Sequence, residues 1–228
     1  MTNDIGLIQL TAPLIFSNTV MAIKLDSGRI SVGDALTAQG WGKLANNDTY
    51  GSAVLKEVQL STLSHATCAE GYKYLEPAKG DQVCTGLQEG KDTCRGDSGG
   101  PLVRVFGFAH AALIGITSVD TDRTGATPVC GAANVISVFT RAAYFIPWIT
   151  TVTSIEPGEL LYTSSRNSSA SSSPSPMTRS SMTESTYGTA STVSGEPGVG
   201  DSAASRAEPR WLSEGIMVLV LVYIAQRT

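Results

Sequence analysis

The chain has 228 residues, 16 Lys plus Arg against 20 Asp plus Glu, a net charge of −4 and four cysteines. A length of this order fits one domain with an appendage. Its charges form no basic stripe and are not interleaved with aromatics, which excludes a nucleic-acid partner from the expected functions.

In chain order, Ile5, Leu7 and Leu10 form a β-favouring run ended by Thr11-Ala12-Pro13 and predict one strand. Residues 14–29 read as an irregular linker. From Ile30 onward, short apolar runs alternate with Gly, Asn, Asp and Pro. They predict strands over 35–40, 53–60, 82–87, 101–106, 111–118 and 135–140. Strands at this spacing predict an all-β antiparallel barrel or sandwich. Phe145, Trp148, Ile149 and Val152 fall on one helical face and predict a helix over 143–152, with Pro147 tolerated near its first turn.

Composition then changes. Residues 153–205 are rich in Ser and Thr and poor in large apolar residues after the first few. Such a segment cannot bury enough surface to offset its ordering entropy, so a disordered stalk is expected. Ser and Thr with Pro suit O-glycosylation. Residues 206–228 form a short hydrophobic segment, Ile216 to Ala225 at its centre, below the ~20 residues a membrane helix needs. Small residues at 201–205, a polar spacer and this tail match a glycolipid-anchor signal, so membrane anchoring is a candidate role.

Asn47-Asp48-Thr49 and Asn167-Ser168-Ser169 are acceptors for N-linked sugar in a secreted chain. Stalk, sequons and an even cysteine count together favour an extracellular or cell-surface protein. The opening Met1-Thr2-Asn3-Asp4 is polar and has no signal-peptide character. The extracellular reading therefore expects a leader encoded upstream of this methionine.

The stretch CRGDSGGP, Cys94 to Pro101, carries the chemistry. A serine hydroxyl is a weak nucleophile and needs a base and a stabilised oxyanion. Glycines at 96, 99 and 100 permit backbone angles closed to other residues. The N–H groups of Gly96 and Ser98 can then converge as an oxyanion hole.

This stretch resembles the nucleophile motif of the trypsin/chymotrypsin family of serine endopeptidases. NDIGLIQL (3–10) is similar to that family's strand bearing the triad aspartate. GWG (40–42) resembles the start of its second barrel, and VFTR (138–141) and WI (148–149) its last strand and terminal helix. The resemblance covers residues 2–152 and defines a partial protease domain over 1–152. It implies a chymotrypsin-like antiparallel β-barrel with the second barrel essentially complete and only a strand of the first.

By the same resemblance Ser98 attacks the scissile carbonyl and Asp4 orients the general-base histidine. Asp92 lies at the floor of the specificity pocket and pairs with a substrate Lys or Arg. Ser118, Val119, Asp120 and Ser137 line that pocket, with Asp120 and Ser137 standing where the family has glycine. Cys68 pairs with Cys84, and Cys94 with Cys130. Leu36 and Arg104 occupy the positions of a further family bridge. Protein or peptide substrates are implied, and neither a cofactor nor a metal.

The family's general base is missing, since neither His65 nor His110 matches its position. Nor is there an IVGG-like start whose freed amine would pair with Asp97 and set the oxyanion hole. The expectation is a truncated and, by itself, inactive form of a trypsin-like endopeptidase. The alternative is a non-catalytic binding or inhibitor protein displayed at the cell surface. A stalked adhesin-like protein with an incidental folded head has only the tail to support it.

Overall fold

The computed structural model describes residues 3–163, apart from 13, 18, 19, 74–79 and 108–109, together with residues 219 and 220. Most of the expected stalk and of the 206–228 segment lies outside the described residues. None of the described helices is long and apolar enough to cross a membrane.

The described body is mostly β. Strands β1 (Leu7–Ile8) and β2 (Lys24–Leu25) are short. They are followed by β3 (Ala35–Gly40), β4 (Lys56–Ser61), helix α1 (His65–Gly71) and β5 (Gln82–Gly86). Then come β6 (Pro101–Phe106), β7 (His110–Asp122) and β8 (Val135–Arg141). A 3₁₀ turn over Ala142–Phe145 leads into α2 (Ile146–Thr153) and a single turn α3 (Pro157–Leu160). A two-residue strand β9 (Leu219–Val220) pairs antiparallel with β1.

Six strands form one antiparallel path in the order β4-β3-β6-β7-β8-β5. The sheet curls until its ends meet: Thr62 bridges to Thr85, and Leu63 N donates to Cys84 O at 2.9 Å. This is the expected chymotrypsin-like barrel. Leu36, Ala38, Leu60, Val83, Leu102, Ile114 and Phe139 fill its interior. A second cluster packs Leu25, Val103, Leu113 and Ile116 under Ala142, Phe145 and Ile149 of the terminal helical segment. A third seats α1 against β5 and β8 through Cys68, Cys84, Ile136 and Val138. The disulfides are Cys68–Cys84 and Cys94–Cys130, as the resemblance implied.

Three local features differ from the sequence expectation. The 14–29 linker contains β2, which runs parallel to β7 with Leu25 opposite Leu113. A two-residue pairing leaves no periodicity for sequence to show. The segment around His65 is helical, begun by Ser64, whose hydroxyl accepts from Thr67 N. Beyond residue 152, Ser154 ends α2 in the left-handed conformation and Ile155 is buried. The chain stays against the body to Tyr162, which donates to Leu25 O at 2.9 Å and stacks on Phe106.

Two bulges in β7 decide where its side chains point. Leu102 pairs with Gly115 but Val103 with Leu113, so Ile114 is the extra residue and turns into the barrel. Thr117 pairs with Phe139 but Val119 with Val138, so Ser118 is the extra residue at the second. A bulged residue is re-aimed relative to its ladder.

Candidate active site

Ser98 sits in the loop between β5 and β6 and is exposed. That loop is held by its own backbone. Asp97 N donates to Cys94 O at 3.0 Å, Gly100 N to Asp97 O at 2.8 Å and Gly99 N to Thr117 O at 2.9 Å. Gly96 takes φ +100° and Gly99 φ +82°, angles that other residues rarely adopt. The N–H groups of Gly96 and Ser98 have no acceptor among the described residues. They are the two donors expected to face a developing oxyanion.

Asp97 turns its carboxylate away from Ser98. Its Oδ1 accepts from Gly42 N at 2.7 Å and its Oδ2 from Cys94 N at 2.9 Å. A Cβ at Gly40 or Gly42 would overlap that carboxylate, which explains both glycines of the GWG stretch. Among the described residues no cation pairs with Asp97; two backbone donors hold it instead. A cavity of about 380 Å³ opens beside it, lined in part by Gly42, Lys43, Val58, Asp92 and Cys94.

Asp4 lies over the second bulge of β7. Ser118 Oγ donates to Asp4 Oδ2 at 2.6 Å, and Thr140 Oγ1 donates to Asp4 O at 2.8 Å. Both hydroxyl residues are buried. A short chain segment is thus anchored at one residue by its side chain and its main chain. Ser118 was expected as pocket wall; its hydroxyl is engaged with Asp4. Thr140 carried no sequence signal for this part.

Asp92, Asp120 and Ser137 do come together. Asp120 is directly opposite Ser137 in the β7–β8 ladder. Ser137 Oγ donates to Asp92 Oδ1, which also accepts from Thr93 N at 2.9 Å. Gly131 N donates to Asp92 Oδ2 at 3.3 Å. Thr93 Oγ1 donates to Asp120 Oδ1 at 3.0 Å. Burial and the neighbouring Asp92 push the Asp120 carboxyl up to about 7. Asp92 is raised too, first by burial, with Asp97 adding to it and the three hydrogen bonds opposing. The disulfide Cys94–Cys130 ties the two sides of this cluster together. Val119, also expected in the wall, pairs with Val138 and packs against the α1 cluster. Thr93 was not singled out in the sequence; its place next to Asp92 was the available signal.

Neither histidine is near. His110 opens β7 opposite Phe106, five residues along β6 from Pro101, a distance of ~16 Å along the strand. His65 is exposed on the first turn of α1. Neither hydrogen-bonds to Asp4 or Ser98. Among the described residues no cluster of His, Cys, Asp and Glu could hold a metal ion.

A family model described as Trypsin matches residues 1–149. The chain belongs to the trypsin family. Relatives include brachyurin of Leptuca pugilator, 34% identical over 68% of this chain and 63% of its own length. The platelet-aggregating proteinase PA-BJ of Bothrops jararaca is 35% identical over 65% of this chain and 58% of its own length. Glandular kallikrein-3, submandibular, of Rattus norvegicus is 34% identical over 68% of this chain and 77% of its own. The chain therefore spans about three fifths of the first two of these trypsin-family relatives. Within that span the structure holds the curled antiparallel barrel and the two disulfides.

Proposed function

We propose that the chain supplies the nucleophile, orienting acid, oxyanion donors and specificity pocket of a trypsin-like serine endopeptidase. Ser98 attacks a peptide carbonyl and forms an acyl-enzyme, which water then hydrolyses. Gly96 and Ser98 N–H stabilise the tetrahedral oxyanion. Asp4 orients a histidine that these 228 residues do not place beside Ser98, and steadies its cation. Asp92 receives the Arg or Lys preceding the cut, because a partly buried carboxylate is best satisfied by a fixed cation. The cavity at Asp97 accommodates the activating amine that the family resemblance implies. The working protein acts on protein or peptide substrates outside the cell or at its surface, and the 228-residue chain alone does not turn over.

The observation that carries this reading is the Ser118 to Asp4 hydrogen bond of 2.6 Å. It holds a carboxylate at the edge of the barrel that also presents Ser98, through a hydroxyl that a bulge was needed to aim.

A second reading, a non-catalytic binding or inhibitor protein, is favoured by one feature. Asp120 and the Ser137–Asp92 hydrogen bond place side chains where the family keeps glycines. An ester-hydrolysis assay separates the two. The purified chain is compared with the product of the reading frame extended upstream of Met1. The longer product is expected to hydrolyse Arg and Lys esters in a Ser98-dependent manner, the chain alone neither. Turnover by the chain that Ser98→Ala abolishes, or a preference for apolar esters, contradicts the proposal.

A further inference from the structure

The sequon Asn47-Asp48-Thr49 plays no part in the chemistry above, and the fold gives it a particular setting. Its loop leaves the barrel beside the nucleophile loop, where Lys43 N donates to Arg95 O at 2.9 Å. It returns where Ser52 N donates to Gly42 O at 3.0 Å. Between these points Asp48 Oδ2 accepts from Leu44 N at 2.9 Å and Ala45 N at 2.8 Å. Asp48 N closes on Ala45 O at 3.1 Å, so Asn46 and Asn47 take the two central positions of a turn.

The two asparagines differ in what their side chains meet. Asn46 Oδ1 accepts from Cys130 N at 2.8 Å, and its Nδ2 donates to Pro128 O at 3.0 Å. Asn46 thus clamps the loop to the pocket wall. Asn47 is exposed, and its amide has no hydrogen-bond partner among the described residues. Thr49 is exposed with its hydroxyl equally unengaged. The same stretch exposes Trp41, Leu44, Tyr50, Val54 and Leu55, with Tyr50 83% accessible. Exposed apolar residues gathered on one loop favour association or a cover.

We infer that Asn47 carries an N-linked oligosaccharide, and that this sugar shields the apolar loop at 41–55. The inference rests on the extracellular reading above. In the transfer, Asn47 Nδ2 attacks the anomeric carbon of an oligosaccharide carried on a lipid diphosphate. The new C–N bond replaces the anomeric C–O bond, the diphosphate leaves with the electron pair, and the amide proton passes to a base of the transferase. Sequon and surface position are what that chemistry requires. The turn is compatible with the product, because the amide nitrogen is used by nothing else. Asp48, the middle residue, keeps its carboxylate engaged with the main chain.

The test produces the full 228-residue chain behind a heterologous secretion signal and treats it with peptide N-glycosidase in heavy-oxygen water. Conversion of Asn47 to labelled Asp is expected. Asn47→Gln and Thr49→Ala should remove it, Thr49→Ser and Asn167→Gln should keep it. Chymotrypsin should cut the 41–55 loop several-fold faster in Asn47→Gln than in the glycosylated chain. An unmodified Asn47 in secreted protein whose two disulfides have formed overturns the inference. Equal cutting rates overturn the shielding role. The extracellular reading fails separately: protein from its native cells would then carry free thiols and no sugar, while the secreted chain is still modified at Asn47.

Discussion

Asp120 and Ser137 face each other across the β7–β8 ladder, and through Ser137 the Asp120 side of the sheet meets Asp92. Two carboxylates, of Asp92 and Asp120, and two hydroxyls, of Ser137 and Thr93, therefore form one cluster. The Asp120 carboxyl is pushed up to about 7 by burial and by Asp92. The folded chain then holds a proton that the unfolded chain loses near pH 4. The contribution of Asp120 to stability is complete below about pH 4 and is lost as pH rises through about 7. Relative to Asp120→Asn, the wild type should lose roughly 2 kcal/mol between pH 5 and pH 8, the linkage value reduced for partial solvation. Urea unfolding at the two pH values measures it. A bound cation stabilises the charged acid, so p-aminobenzamidine should bind tighter as pH rises through 7, and with little slope in Asp120→Gly.

Arg104, one of the two positions where the resemblance implies a further bridge, joins distant segments of the chain by charge. Its guanidinium reaches Asp26 at 2.5 Å and Asp34 at 3.0 Å, and donates to Arg29 O at 3.1 Å. Asp26 is buried, with Gly28 N as its other donor. Removing the guanidinium leaves that charge without a counter-ion. Arg104→Ala is expected to cost about 3 kcal/mol. Denaturant titration checks this, and Arg104→Ala combined with Asp26→Asn should recover part of the loss.

Gly42 faces the carboxylate of Asp97 at a distance that leaves no room for a methyl group. Gly42→Ala must displace Asp97, and with it the turn that presents Ser98. A loss of ~1–3 kcal/mol is expected, as for other forced overpacking. The same variant should show altered exchange of the Gly96 and Ser98 amide protons by hydrogen-exchange mass spectrometry.

Thr85 is fully buried where the ends of the sheet meet, and among the described residues its hydroxyl has no hydrogen-bond partner. A desolvated hydroxyl with no acceptor is destabilising. Thr85→Val keeps the shape and removes that group. Thermal unfolding should show the variant as stable as the wild type or more so, by about 1 kcal/mol.

The sequence revealed the barrel where strands are bounded by turn residues and keep their alternation. The ranges 35–40 and 101–106 coincide with β3 and β6. It understated β7, expected at 111–118, because two bulges shift the parity of the strand and erase a period of two. The expected helix over 143–152 begins instead as a 3₁₀ turn, and α2 starts just before Pro147. In the site, the pairing of the four cysteines followed from the family resemblance and is the pairing observed, while the expected roles of Ser98, Asp4 and Asp92 came from that same resemblance. The service of Ser118 to Asp4 was not legible, because it is set by one inserted residue in a ladder. The meeting of Asp120 with Asp92 needed the strand register as well.

The contact between Thr62 and Thr85 reaches beyond the packing it completes. A curled sheet joined to itself offers little unpaired backbone for a neighbouring molecule to zip onto. Contacts between copies through the barrel are therefore left to side-chain faces such as the 41–55 loop, and backbone pairing to strands outside it such as β1 and β9. Single substitutions on those faces, with the ladders left untouched, are enough to tune the chain's solubility.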